Sequence, residues 1–538
     1  MKASWTSYTA AGLLIFFFLL ATTAARGKSA TYDESVHLYS GWRILTAGDF
    51  TTNHEHPPLM KAIAASPLLA MDVRPPEGRI VREVDQWQVS HEFVYHVNDG
   101  DRLLAAGRLP ITLLATLMLW VVWRWASETL GPMAGLAALA LLAFEPNILA
   151  HSGQITTDLG MTAFAVFTVG SFLVLLRRRS RGWLVGTGVL LGLALLVKFT
   201  AVLLVPVLAA IGVLAVILDG RGRWAELIRS FAIVCAIALV VLNAGYGFGG
   251  TFSDLKEFTP ESVRFTNYAG SWIGSVPLPV PVEYVRGFDH AEAGGQRWWN
   301  YLFGRYSDKG WHEYYLIALA VKTPLPLLIL ALAAIATQPK AREVLLPAVP
   351  VVLILAAFTL SGNLKNIGLR YILPVYPFLC LIAASMVRVR PDRRWVVAAL
   401  VVCQAAVGLW IYPDYLTFFN LLVGGPSHGH EVLLDSNLDW GQDLKGLGEY
   451  IRRRGIDTIY VDYFGRSCRN YYGVRSTPDF QGGLIAVSAT NLMGVYSDDR
   501  TRYRFLSSRK PEAIIGGSIF VYDVPRPSDW KPSPAAGD

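Results

Sequence analysis

Long apolar stretches dominate the chain as far as about residue 412. Because about 20 apolar residues cross the hydrocarbon core of a membrane, we predict about eleven transmembrane helices. The boundary between the fifth and sixth, near Lys198, is the least clearly marked. The predicted spans are 8–25, 108–124, 131–149, 159–176, 182–197, 199–218, 229–246, 314–336, 344–361, 367–387 and 395–412.

The first apolar stretch allows two interpretations. It follows Lys2 and ends in small residues before Arg26, which is typical of a cleaved secretory signal. It is also long enough to span a membrane. We predict a retained helix.

The segments between the spans are not simple linkers. Within 26–107, Glu34–Ala47 and Pro57–Met71 predict short amphipathic helices lying at the membrane interface. The segment 247–313 is rich in aromatic residues, which fits either an interfacial aromatic belt or a lid that stacks on a sugar. Its tryptophans include Trp272, Trp298, Trp299 and Trp311.

The tail, 413–538, changes character and predicts a small α/β domain. Its helix is predicted over Gln442–Arg454, with Gly455 ending it. Its strands are predicted at Glu431–Leu434, Thr458–Tyr463, Leu484–Ser488 and Ile514–Val524. The fold class is therefore a mostly α, polytopic membrane protein with two domains, 1–412 and 413–538.

Basic residues in the short loops predict the orientation of the chain. If the helix count holds, four clusters fall on one side, and an excess of Lys and Arg marks the cytoplasmic side. The N-terminus is then cytoplasmic, and 26–107, 247–313 and the tail lie outside. The clusters are Arg177, Arg178, Arg179 and Arg181; Arg221 and Arg223; Lys340 and Arg342; and Arg388, Arg390, Arg393 and Arg394.

Composition agrees with a membrane protein, since 53% of the residues are hydrophobic and only 17% are charged. The net charge of +7 comes from basic residues at helix ends, so we do not predict nucleic-acid binding. The four cysteines show no pairing pattern, and no disulfide framework is indicated.

Two short motifs in the first polar segment could carry chemistry. Asp33 and Glu34 follow the first span directly; one of them could act as a general base, although such a pair also opens a helix well. His54 and His56 could ligate a metal, or could belong to a polar loop whose prolines start a helix. Lys61 follows close behind.

Charged residues also lie at or near the predicted helix ends. Each could extend its charge to the interface, but several cations and acids at one end of a bundle favour a phosphate site. They are Arg108, Asp158, Lys198, Lys322 and Arg370.

The tail contains an apparent calcium-loop motif that fails. Asp435, Asn437 and Asp439 have the spacing that opens such a loop, but Trp440 and Gly446 stand where Gly and Glu are required. We predict instead that this segment joins a strand to the following helix, with Asp439 as its N-cap.

These motifs together resemble glycosyltransferase family 39 of the GT-C superfamily, which includes protein O-mannosyltransferases and the aminoarabinose transferases of lipid A. The resemblance covers roughly residues 8–412. Tail segments 415–420, 435–443 and 463–465 resemble a bacterial branch that is distant from the better-known members. The motifs that carry the resemblance are Asp33-Glu34, His56-Pro-Pro-Leu, His151 to Asp158, the apolar run ending at Lys198, and Arg370-Tyr371-Ile-Leu-Pro374.

The resemblance implies an enzyme of the bacterial plasma membrane that moves a sugar from a polyprenyl-phosphate carrier to a glycan, lipid or protein acceptor on the outer face. It implies Asp33 as general base, and Glu34 as a residue that positions the acceptor or supports Asp33. Lys198 and Arg370 would bind the phosphate, with Arg108 and Lys61 in reserve, and Asp158, His56 and Tyr371 would position substrate. No metal or other cofactor is implied as a requirement, although His54 and His56 keep a divalent metal open.

Two other functions remain as alternatives. A transporter or flippase of lipid-linked sugar would also carry charges within the membrane, but such proteins usually show repeated halves, and the sequence shows none. A scaffold that only presents the tail domain would leave the charged residues without a role.

Overall fold

The computed structural model describes residues 5–78, 85–220, 222–294, 299–361, 365–389, 392, 394–480 and 482–525. Predictions that concern Lys2, Arg221, Trp298, Arg390, Arg393 and the end of the tail, 526–538, lie outside these residues.

The chain is mostly helical, as predicted. The first ten helices are α1 (Trp5–Arg26), α2 (Glu34–Ala47), α3 (Leu59–Ala65), α4 (Asp85–Tyr95), α5 (Gly100–Leu130), α6 (Pro132–Ala143), α7 (Pro146–Ser152), α8 (Thr157–Arg178), α9 (Arg181–Leu195) and α10 (Leu204–Asp219). Then follow α11 (Trp224–Gly245), α12 (Val263–Ala269), α13 (Val282–Gly294), α14 (Tyr314–Lys322), α15 (Leu325–Thr337), α16 (Arg342–Leu360), α17 (Val375–Ala384), α18 (Met386–Val389) and α19 (Arg394–Trp410). The tail adds α20 (Gly429–Val432), α21 (Leu444–Arg454) and α22 (Ala489–Leu492).

Six helical segments of the described chain are long and apolar enough to cross a membrane, or up to eight if each of two bent pairs counts as one span. Every predicted span falls on a helix, but those at 182–197, 367–387 and 395–412 fall on the shorter α9, α17 and α19. The chain is thus a multi-pass membrane protein, and the count of eleven is not confirmed.

The two bent pairs break at proline. The α6–α7 pair bends by 65° before Pro146, and the α14–α15 pair by 115° at Pro324. Proline lacks an N–H group and disfavours helical backbone in the residue before it. The two breaks meet, because the Asn147 side chain donates a hydrogen bond to the Lys322 carbonyl at 2.7 Å.

A short hairpin precedes α14, and the tail contains the predicted sheet. The strands are β1 (Asn300–Leu302), β2 (Arg305–Ser307), β3 (Tyr460–Asp462), β4 (Gly483–Ser488), β5 (Ala513–Ile515) and β6 (Ile519–Val524). The hairpin joins β1 and β2, and the order in the tail sheet is β3-β4-β6-β5. Strand β4 pairs in parallel with β3 and antiparallel with β6, with Gly483 opposite Val524 and Ser488 opposite Ile519.

Three local predictions in the tail were wrong. Residues 431–434, predicted as a strand, are instead the end of α20 followed by two extended residues, Leu433 and Leu434. Both leucines are buried, which accounts for the apolar pattern of this segment. The strand predicted at Ile514–Val524 is divided by Gly516 and Gly517, which both have positive φ. The N-cap of α21 is Asp443, not Asp439.

One continuous cluster of buried apolar residues runs from the helical bundle into the tail. Near the chain start, α1 packs against α5 and α6 with Phe17 fully buried. At the other end of the chain, α21 turns Leu444, Leu447 and Ile451 inward, and Gly455 closes it at φ 63°. The tail therefore shares its core with the bundle.

Candidate active site

Four charged side chains from distant parts of the sequence meet at the end of the bundle that carries the tail. Asp33 precedes α2, Asp158 lies in the first turn of α8, Lys198 follows α9, and Arg370 lies in the short 3₁₀ helix Leu369–Ile372. We call these four residues the central cluster. All four were candidates in the sequence.

The central cluster is a chain of ion pairs. The Lys198 ammonium lies 2.5 Å from one oxygen of Asp158, and the Arg370 guanidinium lies 3.8 Å from the other. The same guanidinium nitrogen donates to Asp33 at 3.1 Å. Two acids and two bases thus balance in a buried region, where charges persist only when paired.

The cluster opens at the Asp33 side. The side chain of Asp33 is 15% exposed, whereas that of Asp158 is 1% exposed. Asp33 stands at the N-cap position of α2, but its carboxylate makes no capping hydrogen bond. Its side chain is therefore available to the cluster rather than used to start the helix.

Aromatic rings hold the two cations. The Tyr371 ring lies 4.6 Å from the Lys198 nitrogen and 5.6 Å from the Arg370 guanidinium carbon. Trp440, from the tail, covers the guanidinium at 4.2 Å, and His151 lies edge-on to that indole. The Nε of Arg370 has no hydrogen-bond partner in the described structure, so the guanidinium keeps a donor for a ligand.

Glu34 and Arg108 form a separate, fully engaged pair beside the cluster. Arg108 donates to both carboxylate oxygens, at 2.9 and 2.7 Å, and to the carbonyls of Ala25, Lys28 and Ser29. Glu34 also accepts from the Thr31 and Ile155 amides. Burial opposes ionisation of Glu34, but Arg108 and these donors lower the pKa of its carboxyl.

This pair bears on two sequence predictions, which stay predictions. The donors of Arg108 are already taken by protein groups, so phosphate binding by Arg108 has no geometric support. Glu34 is fully buried, and a catalytic contact with substrate has none either. Both residues fix the turn between α1 and α2, and thereby the position of Asp33.

Lys61 and His56 line the buried surroundings of the cluster. Lys61 donates to the Asn53 carbonyl at 2.7 Å and to its side chain at 3.2 Å, and burial lowers the pKa of Lys61 to about 7, although Glu55 opposes this. The His56 ring lies 5.4 Å from that of His37. Burial, together with His37 and Lys198, holds the pKa of His56 well below its usual range.

The remaining candidates have other neighbours. His54 lies 3.4 Å from Glu283 on α13, so its ring and that of His56 face different partners. Lys322 donates to the carbonyls of Leu416 and Asn437 and stands outside the central cluster. Trp272 is exposed, and Arg500 covers the Trp299 ring. The choice between belt and lid for the aromatic segment stays open.

The tail contributes directly to the site through residues 435–444. The Ser29 and Tyr32 amides donate to the carbonyls of Gln442 and Trp440, each at 2.9 Å, and the Ser29 hydroxyl donates to Gly441. These bonds hold the segment that leads to Asp33.

The same tail segment also holds the Arg370 segment. The Asn437 side chain accepts from the Leu369 amide at 2.9 Å, and the Ser436 hydroxyl donates to the Ile367 carbonyl at 2.5 Å. A side chain at Gly368 would meet the Ser436 hydroxyl at 2.2 Å, so only glycine allows this approach. Residues 435–444 thus position both Asp33 and Arg370.

The sequence did not predict this role for the tail. In the sequence, Asp435, Asn437 and Asp439 stand out only as an incomplete calcium-loop motif. They lie about 400 residues from Asp33, and nothing in the sequence places them at the site. The available signal was the density of polar residues between apolar ones in 435–443.

A large cavity lies elsewhere in the described structure. It has a volume of about 830 Å³ and lies at the other end of α8, roughly 30 Å from Asp158 at 1.5 Å per residue. Its basic residues include Arg177, Arg179, Arg181, Arg223 and Arg342. Three of the four predicted basic clusters therefore meet at one end of the bundle, and Arg388 of the fourth pairs with Glu343 beside them.

Comparison with known proteins agrees with this architecture. Residues 98–245 match the family of dolichyl-phosphate-mannose-protein mannosyltransferases. No curated protein matches the sequence. The structure is similar to ArnT from Cupriavidus metallidurans bound to undecaprenyl phosphate, with a TM-score of 0.52 and 13% identity over 96% of this chain and 98% of that one. A lower similarity, with a TM-score of 0.47 and 14% identity over 77% of this chain and 56% of that one, relates it to the oligosaccharyltransferase AglB from Archaeoglobus fulgidus in complex with an inhibitory peptide and a dolichol-phosphate.

The chain therefore has a fold like that of ArnT, and the similarity extends along nearly the whole of both chains. This fold, and the match of residues 98–245 to the mannosyltransferase family, agree with the resemblance seen in the sequence.

Proposed function

We propose that the protein is a glycosyltransferase that moves a sugar from a polyprenyl-phosphate carrier to an acceptor hydroxyl on the outer face of the bacterial plasma membrane. The observation that carries the proposal is the 3.1 Å contact between the Asp33 carboxylate and the Arg370 guanidinium, at the exposed end of the central cluster. A base for the acceptor and a cation for the leaving phosphate stand side by side there.

In the proposed reaction, the acceptor oxygen attacks the anomeric carbon of the sugar while Asp33 takes the hydroxyl proton. The bond between that carbon and the phosphate oxygen breaks, and polyprenyl phosphate leaves with the electron pair. Arg370 and Lys198 stabilise the charge that develops on the phosphate. Asp158 holds both cations in place before substrate arrives.

The other residues support this arrangement. The aromatic rings of Tyr371 and Trp440 hold the cations in position. Glu34 and Arg108 hold the turn that carries Asp33. Lys61 would contact substrate only after a rearrangement, since it is buried, whereas His56 is half-buried. The orientation follows from the arginine-lined end of the bundle, which we assign to the cytoplasm.

The test compares wild-type protein with Asp33→Asn in proteoliposomes. Release of polyprenyl phosphate is measured from a panel of polyprenyl-phosphate sugars, with crude envelope extract as acceptor. Loss of the general base lowers turnover by about 100-fold or more. Asp72→Asn, which removes an exposed carboxylate from the same polar segment, leaves turnover unchanged.

The outcomes distinguish the assigned base, the class of enzyme and the flippase alternative. Equal turnover in Asp33→Asn and wild type would contradict the assigned base while keeping the class of enzyme. Wild-type protein that turns over no donor, but moves labelled lipid-linked sugar between leaflets, would identify a flippase.

A further inference from the structure

Three metal-ligating side chains meet where the first polar segment touches the tail, away from the central cluster. They are His91 on α4, His96 just after it, and Cys468 after β3. One ligand atom from each lies within 4.8 Å of those of the other two, and the two imidazole rings are 5.2 Å apart. Among the described residues, no other His, Cys, Asp and Glu side chains form such a group.

We propose that His91, His96 and Cys468 bind a zinc ion that fastens α4 to the tail. The proposal stands on this geometry and is independent of the proposed function.

The ligand set favours zinc. Zinc binds thiolate sulfur and imidazole nitrogen in tetrahedral geometry, at bond lengths of about 2.0–2.3 Å. Ligand atoms around such an ion lie about 3.5 Å apart, so rotamer adjustments of about 1 Å close the site. A thiolate excludes hard cations such as Mg²⁺ and Ca²⁺, which prefer oxygen. Three protein ligands leave the fourth position to water or another donor.

The backbone around the ligands is already held in register. The α4 helix turn continues to His96, whose amide donates to the Glu92 carbonyl at 3.0 Å. Tyr95, between the two histidines, donates to Ser467 at 3.0 Å, next to Cys468. The end of α4 and the tail therefore cannot separate here without breaking the bond between Tyr95 and Ser467.

A cation also lies at this junction. Arg466 stands two residues before Cys468 in the sequence, and its guanidinium is held between the rings of Tyr32 and Trp87, at 5.0 and 4.8 Å.

A zinc ion here would act on the site indirectly. Ser467 donates to the Ala30 carbonyl at 3.0 Å, and residue 30 belongs to the segment that leads to Asp33. Fastening Cys468 to α4 would thus restrain the approach to the central cluster without contacting it.

The test uses full-length protein purified in detergent and loaded with Co²⁺, whose thiolate complexes absorb in the near ultraviolet. Wild-type protein shows a thiolate-to-cobalt band and retains about one zinc per chain after gel filtration, and Cys468→Ser, His91→Ala and His96→Ala each lose both. Matched controls are Cys403→Ser and His428→Ala, which remove an exposed thiol and an exposed imidazole elsewhere; both keep the band.

A second measurement on wild-type protein does not depend on the folding of variants. Zinc slows alkylation of Cys468, followed by mass spectrometry of its peptide, while alkylation of Cys403 is unaffected. Equal zinc content in the Cys468→Ser and wild-type proteins, or alkylation of Cys468 at the same rate with and without zinc, would overturn the proposal. Zinc lost equally from His428→Ala would show binding to surface histidines instead.

Discussion

The two ends of α8 place charge in opposite ways. At the start of the helix, Asp158 pairs with Lys198 at 2.5 Å, and their side chains are 1% and 6% exposed. Near its end, Arg179 pairs with Glu226 at 3.4 Å, and those side chains are 40% and 37% exposed. The first pair has acids and bases in balance, whereas the second lies in a cavity wall where arginine predominates.

Charged residues at the two ends of this helix therefore serve different purposes. Exposed arginines orient a helix in the membrane and interact with water and lipid headgroups, so their individual contacts matter little. Buried charges survive only if each has its partner, and such an arrangement is maintained for chemistry. The arginine-lined cavity therefore lies away from the proposed active site.

The largest expected effect comes from breaking the buried pair. Asp158→Ala leaves Lys198 buried beside a second cation, and we expect a loss of about 3–5 kcal/mol in stability. Thermal unfolding in detergent measures it. Because the penalty comes from the unpaired charge, Asp158→Ala combined with Lys198→Met should recover part of the loss. A single variant as stable as wild type would contradict the description of this pair.

The tail provides a second test, through pH. Burial raises the pKa of Asp439 to about 7, so between about pH 4 and 7 the folded protein binds more protons than the unfolded one. This contribution to stability is therefore full at low pH and is lost as the pH rises through that window.

Asp439→Asn replaces the carboxyl group by an amide, which does not titrate. We expect the stability of the variant relative to wild type to rise with pH from 4 to 7, by up to about 1.4 kcal/mol per pH unit, and to stay level above 7. Melting temperatures of both proteins across this range measure it. A constant difference at all pH values would show that Asp439 does not titrate there.

Trp440→Phe tests the aromatic cover of Arg370. Trp binds a guanidinium more strongly than Phe does, and we expect the interaction free energies to differ by about 0.5–2 kcal/mol. That difference corresponds to roughly a 2- to 30-fold fall in turnover. The control is Trp395→Phe, an exposed ring outside the site. Equal turnover in the two variants would show that Trp440 only fills space.

The smallest effect is expected at the arginine-lined end. Glu226→Ala removes the partner of Arg179, and exposed pairs are worth about 0–1 kcal/mol. Its melting temperature should stay close to that of wild type, in contrast to Asp158→Ala. A loss as large as that of Asp158→Ala would erase the distinction between the two ends.

The sequence predicted those features that depend on local pattern. Helix α2 begins at Glu34 and ends at Ala47 as predicted, because its apolar face repeats at helical spacing and Gly48 ends it at φ 63°. The members of the central cluster were candidates because charges are rare in apolar stretches. The fold class followed from the same stretches.

Features that depend on distant contacts were not predictable. Nothing near Arg108 shows that Glu34, 74 residues away, takes its side chain. The apolar run 431–434 shows burial but not whether a partner strand exists. The bends at Pro146 and Pro324 were not predicted either. The prolines are visible in the sequence, but an apolar stretch alone does not show whether a proline bends the span or lies at its end.

The hydrogen bonds between Ser29 and the tail have a consequence for how the protein is made. Ser29 and Gly441 stand 412 positions apart, so the ribosome adds 412 residues after Ser29 before the segment preceding Asp33 meets its acceptors. Until then, the backbone amides of Ser29 and Tyr32 lack these carbonyls, and Arg370 lacks the indole of Trp440. Maturation of the site therefore waits until residues 435–444 have been made, and a chain interrupted before residue 435 cannot assemble it.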